Sequence, residues 1–143
     1  MTRQLAAAFA ACALLCTAPH SAVAHHSFSA EFDANKPITL HGTITKLEWI
    51  NPHSWLHVDV KNADGTTTEW MVEAATPNTL LRRGFTRDTV KAGTEITIIG
   101  YQAKSGAHRA NGRDLILADG SHLFMGSSES GAPGEPARSE PQQ

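Results

Sequence analysis

The sequence predicts a mainly β fold: a small OB-like five-stranded antiparallel barrel with one short helix between strands 3 and 4. A long first strand carries a glycine near its middle, and two alternating segments are joined by an Asp-Gly turn. A short capped helix then separates the third strand from the fourth. Closing the sheet into a barrel protects its edges. An open antiparallel sheet or a sandwich is the alternative.

The first strand is predicted over residues 38–49, which are rich in β-branched side chains. Leu40 and Ile44 share one face of it, whereas Leu47 has the opposite parity. Gly42 favours a bulge or a sharp coil, so we expect this strand to be long and bent. Residues 25–36 show no sustained period and are expected to form an extended N-terminal arm.

Strands 2 and 3 are predicted over residues 54–61 and 66–74, joined by the turn at Asp64 and Gly65. Strand 2 alternates between an apolar face and a polar face, which are Leu56, Val58 and Val60 against Trp55, His57 and Asp59. In strand 3, Glu69 and Glu73 are interpreted as a solvated polar face. Trp49 and Trp70 are assigned to the core, and Trp55 to contact with a ligand.

The helix is predicted from its caps, with Thr76 as N-cap, Pro77 as the first helical residue and Gly84 as the terminator. Its two leucines are expected to cover one end of the sheet. Strand 4 follows over residues 95–103. A polar loop over residues 104–112 precedes strands at 114–118 and 123–125.

The N-terminus is predicted to be a cleaved signal peptide, residues 1–24. Arg3 precedes an apolar run from Leu5 to Thr17, which is too short to span a bilayer, and a small-x-small cleavage motif ends at Ala24. We therefore expect a periplasmic or secreted protein with no membrane anchor after cleavage. Its domain would cover residues 25–125, followed by a Gly-, Ser- and Pro-rich tail at 126–143 that is predicted to be disordered.

The net charge and the cysteine content limit the partners and metal ligands that we expect. Removing residues 1–24 takes away Arg3 and no acid, so the formal net charge of -2 becomes -3 and nucleic acid is not expected as a partner. Both cysteines, Cys12 and Cys16, lie in the signal, so any metal must use nitrogen and oxygen ligands. No nucleophile elbow, phosphate loop or dinucleotide fingerprint is present, and we do not expect an enzyme.

Cleavage after Ala24 would expose a free amino group on His25, with His26 beside it. A terminal amine has an unperturbed pKa near 8 and loses its proton to a metal at modest cost. Amine and imidazole nitrogens suit copper in particular, and zinc as a second choice. His53 and His57 are the candidates to complete the site, with His53 preferred because Asn51 and Pro52 fix the backbone there. The ligand surface is predicted to include Asn51, Trp55 and Asp59.

Simpler interpretations of the histidines stay open. His25 and His26 would then be a polar start of the chain, His53 a turn cap and His57 an exposed strand residue. His41, His108 and His122 are interpreted as solvated. A groove for an organic ligand lined by histidines is a further alternative.

Several short motifs resemble a family of small exported bacterial proteins of unknown function. They are His25-His26-Ser27-Phe28, Phe32-Asp33, Glu48-Trp49-Ile50-Asn51-Pro52-His53, Pro77-Asn78-Thr79-Leu80, Arg82-Arg83-Gly84-Phe85, Lys91-Ala92-Gly93 and Gly100-Tyr101-Gln102-Ala103-Lys104. The resemblance implies an exported, mainly β domain and assigns neither an activity nor a ligand.

Three functions are compatible with these observations. The first is a non-catalytic binding or accessory module of the cell envelope that binds copper or zinc through its mature N-terminal histidine. The second is a copper-dependent oxidase with a histidine brace. The third is a module that pairs with an envelope protein and binds no small ligand.

Overall fold

The computed structural model describes residues 28–126, which form a strongly curved sheet with two short helices in this part of the chain. The elements, in chain order, are α1 Phe28–Glu31, β1 Phe32–Glu48, β2 Ser54–Lys61, β3 Thr67–Ala74, α2 Pro77–Arg82, β4 Glu95–Ala103, β5 Arg109–Leu117 and β6 His122–Phe124.

The sheet closes on itself as the sequence predicts. Its strand order is β3-β2-β1-β4-β5-β6, and a further pairing joins β3 to β5, so that β1 to β5 form a ring. The closing pair is parallel, with Val72 opposite Ala110, whereas the other neighbouring strands run antiparallel. The mainly β, OB-like barrel with a helix between strands 3 and 4 is therefore confirmed, and β6 extends the ring at the free side of β5.

The first strand differs from its prediction in two ways. It begins at Phe32, which is buried and pairs with Ala103, so the arm is neither extended throughout nor separate from the barrel. Its bulge lies between Ile44 and Lys46 and not at Gly42. The extra residue reverses the parity of the strand, which explains why Leu47 packs against the core although it alternates out of phase with Ile44.

Gly42 serves close packing of the backbone. A Cβ atom at this position would lie 2.4 Å from the carbonyl oxygen of Asp59 on β2. A glycine is required because the two strands approach too closely for any side chain.

Helix α2 forms where its caps predict. The Thr76 side chain accepts a hydrogen bond from the backbone N–H of Thr79 at 3.3 Å, Pro77 is the first helical residue, and Gly84 has φ 87°. Leu80 is fully buried against the barrel, whereas Leu81 is half-exposed, so only one of the two leucines covers the barrel end. Phe85 and Val90 complete that cover.

The last strands start earlier than predicted. β5 begins at Arg109, inside the segment expected to be a polar loop. Small and polar residues occupy this part of the strand because it closes the barrel against β3, and Ala110, Asn111 and Gly112 are all buried. Neither helix within residues 28–126 has the length and apolar character needed to cross a lipid bilayer.

Candidate functional site

His53 ends the loop between β1 and β2, and a buried carboxylate holds its ring. The Nδ1 atom of His53 contacts Oε1 of Glu73 on β3. Glu73 is only 6% exposed, so its interpretation as part of a solvated face was wrong. Glu73 is covered because β3 is paired on both sides. Its cross-strand neighbours are Trp55 of β2 and Asn111 of β5. A carboxylate on one imidazole nitrogen fixes the ring orientation, an arrangement usual for metal-ligating histidines.

The strand registers place four side chains in one row across the barrel surface. Trp55 lies opposite Glu73, Glu73 opposite Asn111, and Asn111 opposite Tyr101 of β4. Alternation puts Glu73 and Asn111 on the face turned away from the core, because Val72 and Ala110 belong to the core cluster. We call His53, Trp55, Glu73 and Asn111 the histidine corner.

Asn111 is the most deeply buried polar residue of the histidine corner. It is 2% exposed, and its Oδ1 atom has no hydrogen-bond partner within residues 28–126. A buried acceptor without a donor costs about 1–3 kcal/mol, which makes such atoms rare in native proteins. The corner therefore combines an imidazole, a carboxylate and an amide oxygen that still lacks a donor from the described residues.

The N-terminal part of the described chain is attached beside this corner. Glu31 of α1 forms an ion pair with Arg109 at 2.7 Å, and the Arg109 guanidinium lies 4.7 Å from the centre of the Trp55 ring. The Phe28 ring packs edge-on against Tyr101 at 5.3 Å. The Nζ atom of Lys104 donates to the carbonyl oxygen of Ser29 at 2.6 Å. These contacts fix helix α1 beside the histidine corner, at the Tyr101 end of the row of four side chains.

His57 occupies a separate charged cluster. Its Nε2 atom lies 3.1 Å from Glu48 of β1 and its Nδ1 atom 3.2 Å from Glu69 of β3. Both ring nitrogens are at hydrogen-bonding distance from carboxylates, and the ring bridges three strands. His57 therefore belongs to this charged cluster with Glu48 and Glu69. Of the two histidines His53 and His57, only His53 lies in the histidine corner.

The pH dependence of this network can be measured. Hydrogen bonds from Lys46 and His57 lower the pKa of Glu48 below its ordinary value of 4.5. Because the pKa is depressed in the folded state, the stabilisation is present above the unfolded value and is lost as the pH falls through the folded value. We expect Glu48→Gln to lower the melting temperature at pH 7 and the difference from the wild type to shrink below about pH 4.5. Glu95→Gln, at an exposed glutamate, is the control for the loss of one surface charge. If the melting temperature of E48Q differed from that of the wild type by the same amount at every pH, this assignment would be contradicted.

The other predicted surface residues lie apart from the corner. Asn51 is exposed in the loop before His53, where its peptide bond to Pro52 is cis. Asp59 lines a groove of about 520 Å³ together with His41 and Lys61. Of the predicted ligand surface, only Trp55 belongs to the histidine corner.

The histidines interpreted as solvated have ordinary surroundings. His41 is exposed, and its Nδ1 atom lies 2.9 Å from the Thr97 hydroxyl. His108 is exposed and its ring lies 5.2 Å from that of Trp70, and His122 lies 3.2 Å from Asp114. These positions agree with the interpretation.

His25 and His26 lie outside the described residues, as do the predicted signal peptide and nearly all of the predicted tail. Within residues 28–126, no three or more His, Asp or Glu side chains are grouped so that they could hold a metal ion. A metal site at the histidine corner would therefore need ligands in addition to the His, Asp and Glu side chains of the described residues.

Sequence reasoning missed two residues of the histidine corner, Glu73 and Asn111, and one beside it, Arg109. Glu73 could have been found, because a hairpin turning at Asp64 and Gly65 sets Glu73 opposite Trp55. Arg109 and Asn111 gave no such signal, since they lie in a segment with the composition of a loop and reach β3 only through barrel closure.

The fold and these side chains define a class: an OB-like barrel with polar and aromatic residues on the outer face of β2 and β3, where OB folds bind their ligands. The chain belongs to a family of unknown function, DUF6152, whose family model matches residues 11–112. The matched range includes every residue of the histidine corner and ends within β5. The resemblance noted in the sequence is thereby confirmed at the level of the family. No curated protein and no solved structure matched the chain.

Proposed function

We propose that this protein is a binding or accessory module of the cell envelope that binds copper or zinc where its mature N-terminus meets the histidine corner. The ligands would be the amine and imidazole of His25, with His26 and His53 completing the set. Signal cleavage after Ala24 and a periplasmic or secreted location are parts of the proposal. The role is binding and not catalysis.

The contact between His53 and Glu73 is the observation that carries this proposal. Glu73 is buried and contacts Nδ1 of His53. This contact orients the ring so that Nε2 faces away from Glu73. Proteins orient metal-ligating histidines in this way, and loss of such a carboxylate typically reduces metal affinity 10- to 100-fold. A histidine that only caps a turn has no need of a buried carboxylate behind its ring.

The attachment of helix α1 supports the same site. Phe28 packs on Tyr101, which lies two strands away from Glu73 in the row across the barrel. Neighbouring strands are about 4.8 Å apart, so this separation is about 10 Å. His25 precedes Phe28 by three residues, which span up to about 10 Å when extended. The mature terminus is therefore just long enough to reach Glu73, which the His53 ring contacts.

Calorimetric titration of Cu(II) and Zn(II) tests the proposal on protein that begins at His25. We expect one metal ion to bind per chain, and acetylation of the terminal amine to weaken the affinity by about tenfold or more, because a blocked amine cannot coordinate. His53→Ala should have an effect of similar size. His41→Ala is the matched control and should leave the affinity unchanged. Equal affinities for the free and the acetylated protein would exclude the terminal amine as a ligand.

A further inference from the structure

Basic side chains are concentrated in the segment that covers one end of the barrel. Residues 28–126 contain ten Lys and Arg against eleven Asp and Glu, which gives a formal charge of -1 with neutral histidines. Within them, residues 81–91 contain four Lys and Arg against one Asp, which gives +3. The rest of the described chain therefore has a formal charge of -4, and the positive charge is gathered at one end.

Three buried side chains hold this segment against the barrel. Leu80, Phe85 and Val90 are each 0% exposed and belong to the core cluster. The residues between and beside these anchors therefore lie on the outside of the barrel end, where several of them are exposed. We call one exposed set the basic cap, which consists of Leu81, Arg82, Arg87 and Lys91.

The charges of the basic cap are not neutralised by the described chain. Within residues 28–126, none of its three basic side chains forms an ion pair with a carboxylate. Arg82 donates only to the neutral Thr79 hydroxyl, at 3.2 Å. The fourth basic residue of the segment, Arg83, is directed elsewhere, with its guanidinium 4.6 Å from the centre of the Phe124 ring. The cap thus presents its positive charge to a partner outside this part of the chain.

Leu81 adds an apolar side chain to this charged surface. It is 50% exposed on α2, next to Arg82. Basic side chains with an exposed leucine are typical of surfaces that lie on lipid bilayers, because the charges attract anionic headgroups and the apolar side chain enters the acyl boundary. A soluble polyanion would attract the same charges but would offer no apolar contact to Leu81.

We propose that the basic cap binds the surface of a lipid bilayer that contains anionic headgroups. The rest of the described barrel, with its formal charge of -4, is repelled by the same headgroups. This opposition of charge orients the molecule with α2 toward the bilayer. The basic cap shares no residue with the histidine corner, so this binding does not depend on a metal.

Cosedimentation with lipid vesicles tests the inference on protein without residues 1–24, whose apolar run would itself bind lipid. The vesicles contain either phosphatidylglycerol and phosphatidylcholine in equal parts or phosphatidylcholine alone. We expect binding to the anionic vesicles at low salt, a loss of that binding as salt is added, and no binding to the neutral vesicles. Replacing Arg82, Arg87 and Lys91 together by glutamine should weaken the binding about 100-fold, because each basic side chain near an anionic bilayer strengthens it about fivefold.

A second triple variant is the matched control for net charge. Replacing the exposed Lys36, Lys46 and Lys61 of β1 and β2 together by glutamine removes the same charge away from the cap, and should weaken binding by less than about threefold. Melting curves check that both triple variants are folded. The inference is overturned if the wild type does not bind the anionic vesicles at low salt, or if the two triple variants lose affinity equally.

Leu81→Ala separates a bilayer from a soluble acidic partner. We expect this variant to bind the anionic vesicles about fivefold more weakly, because less apolar surface enters the bilayer. If L81A bound as well as the wild type while the cap triple variant did not, the cap would be a site for a soluble polyanion, and the assignment to a lipid surface would be wrong.

Discussion

Replacing Phe85 by alanine is expected to remove about 3–5 kcal/mol from the free energy of unfolding, the range for burial of a whole phenylalanine side chain in a core. Phe85 is 0% exposed and follows helix α2, where its backbone N–H donates to the Leu80 carbonyl oxygen at 3.0 Å. Its ring closes the end of the barrel together with Leu80 and Val90. Domains have about 5–15 kcal/mol of stability in total, so F85A should lose a large fraction of it.

The same helix supplies the control for this measurement. Leu81 is 50% exposed, so Leu81→Ala should change the stability by no more than about 0.5 kcal/mol. Urea unfolding followed by tryptophan fluorescence would give both values. If F85A and L81A unfolded at the same urea concentration, the barrel end would not depend on this ring, and the position of α2 over the barrel would be wrong.

The parts of this fold that the sequence predicts are those encoded by neighbouring residues. The hairpin of β2 and β3 follows from clean alternation and from the φ of 87° that Gly65 adopts at its turn. The N-cap at Thr76 and the terminator at Gly84 define α2 in the same local way. In each case the physical cause lies within a few residues, so reading one segment is sufficient.

The errors arise where distant segments meet. Arg109 to Gly112 have the composition of a loop, yet they form a strand because β3 and β4 lie on both sides of them. The bulge after Ile44 changes which side chains of β1 face the core, and no single residue marks it. Tertiary pairing decides both outcomes, and it overrides the local preference.

The candidate site follows the same division. His53 could be selected from the sequence, because a histidine after Asn51 and Pro52 at the start of a strand is a local pattern. The residues that give the corner its chemistry, Glu73 and Asn111, become relevant only because the closed ring places β3 between β2 and β5. A site built across a barrel seam is therefore only partly visible in a single sequence.

Gly100→Ala is expected to lower the stability more than any other small substitution where β4 and β5 pair beside the histidine corner. A Cβ atom at position 100 would lie 2.2 Å from the carbonyl oxygen of Asn111, a backbone atom that cannot rotate away. Gly112→Ala is the matched comparison, because its nearest contacts are side-chain atoms and not backbone: Sδ and Cε of Met125 at 2.7 and 2.8 Å, and Cγ1 of Val72 at 2.8 Å. Overpacking costs about 1–3 kcal/mol where side chains can adjust, and more where the backbone must move. We therefore expect G112A to fall within that range and G100A to exceed it.

The two glycine variants also connect stability to the histidine corner. Relief of the clash in G100A requires the β4 and β5 backbones to separate at Asn111, so the Cu(II) affinity proposed for the histidine corner should decrease along with the stability. G112A, whose close contacts are the side chains of Met125 and Val72 inside the core, should keep the Cu(II) affinity of the wild type. Chemical unfolding and calorimetric titration of Cu(II) measure both effects in one set of proteins. If G100A were as stable as G112A, β4 and β5 would lie farther apart at Gly100 and Asn111 than the structure places them. The position of Asn111 in the histidine corner would then be wrong as well.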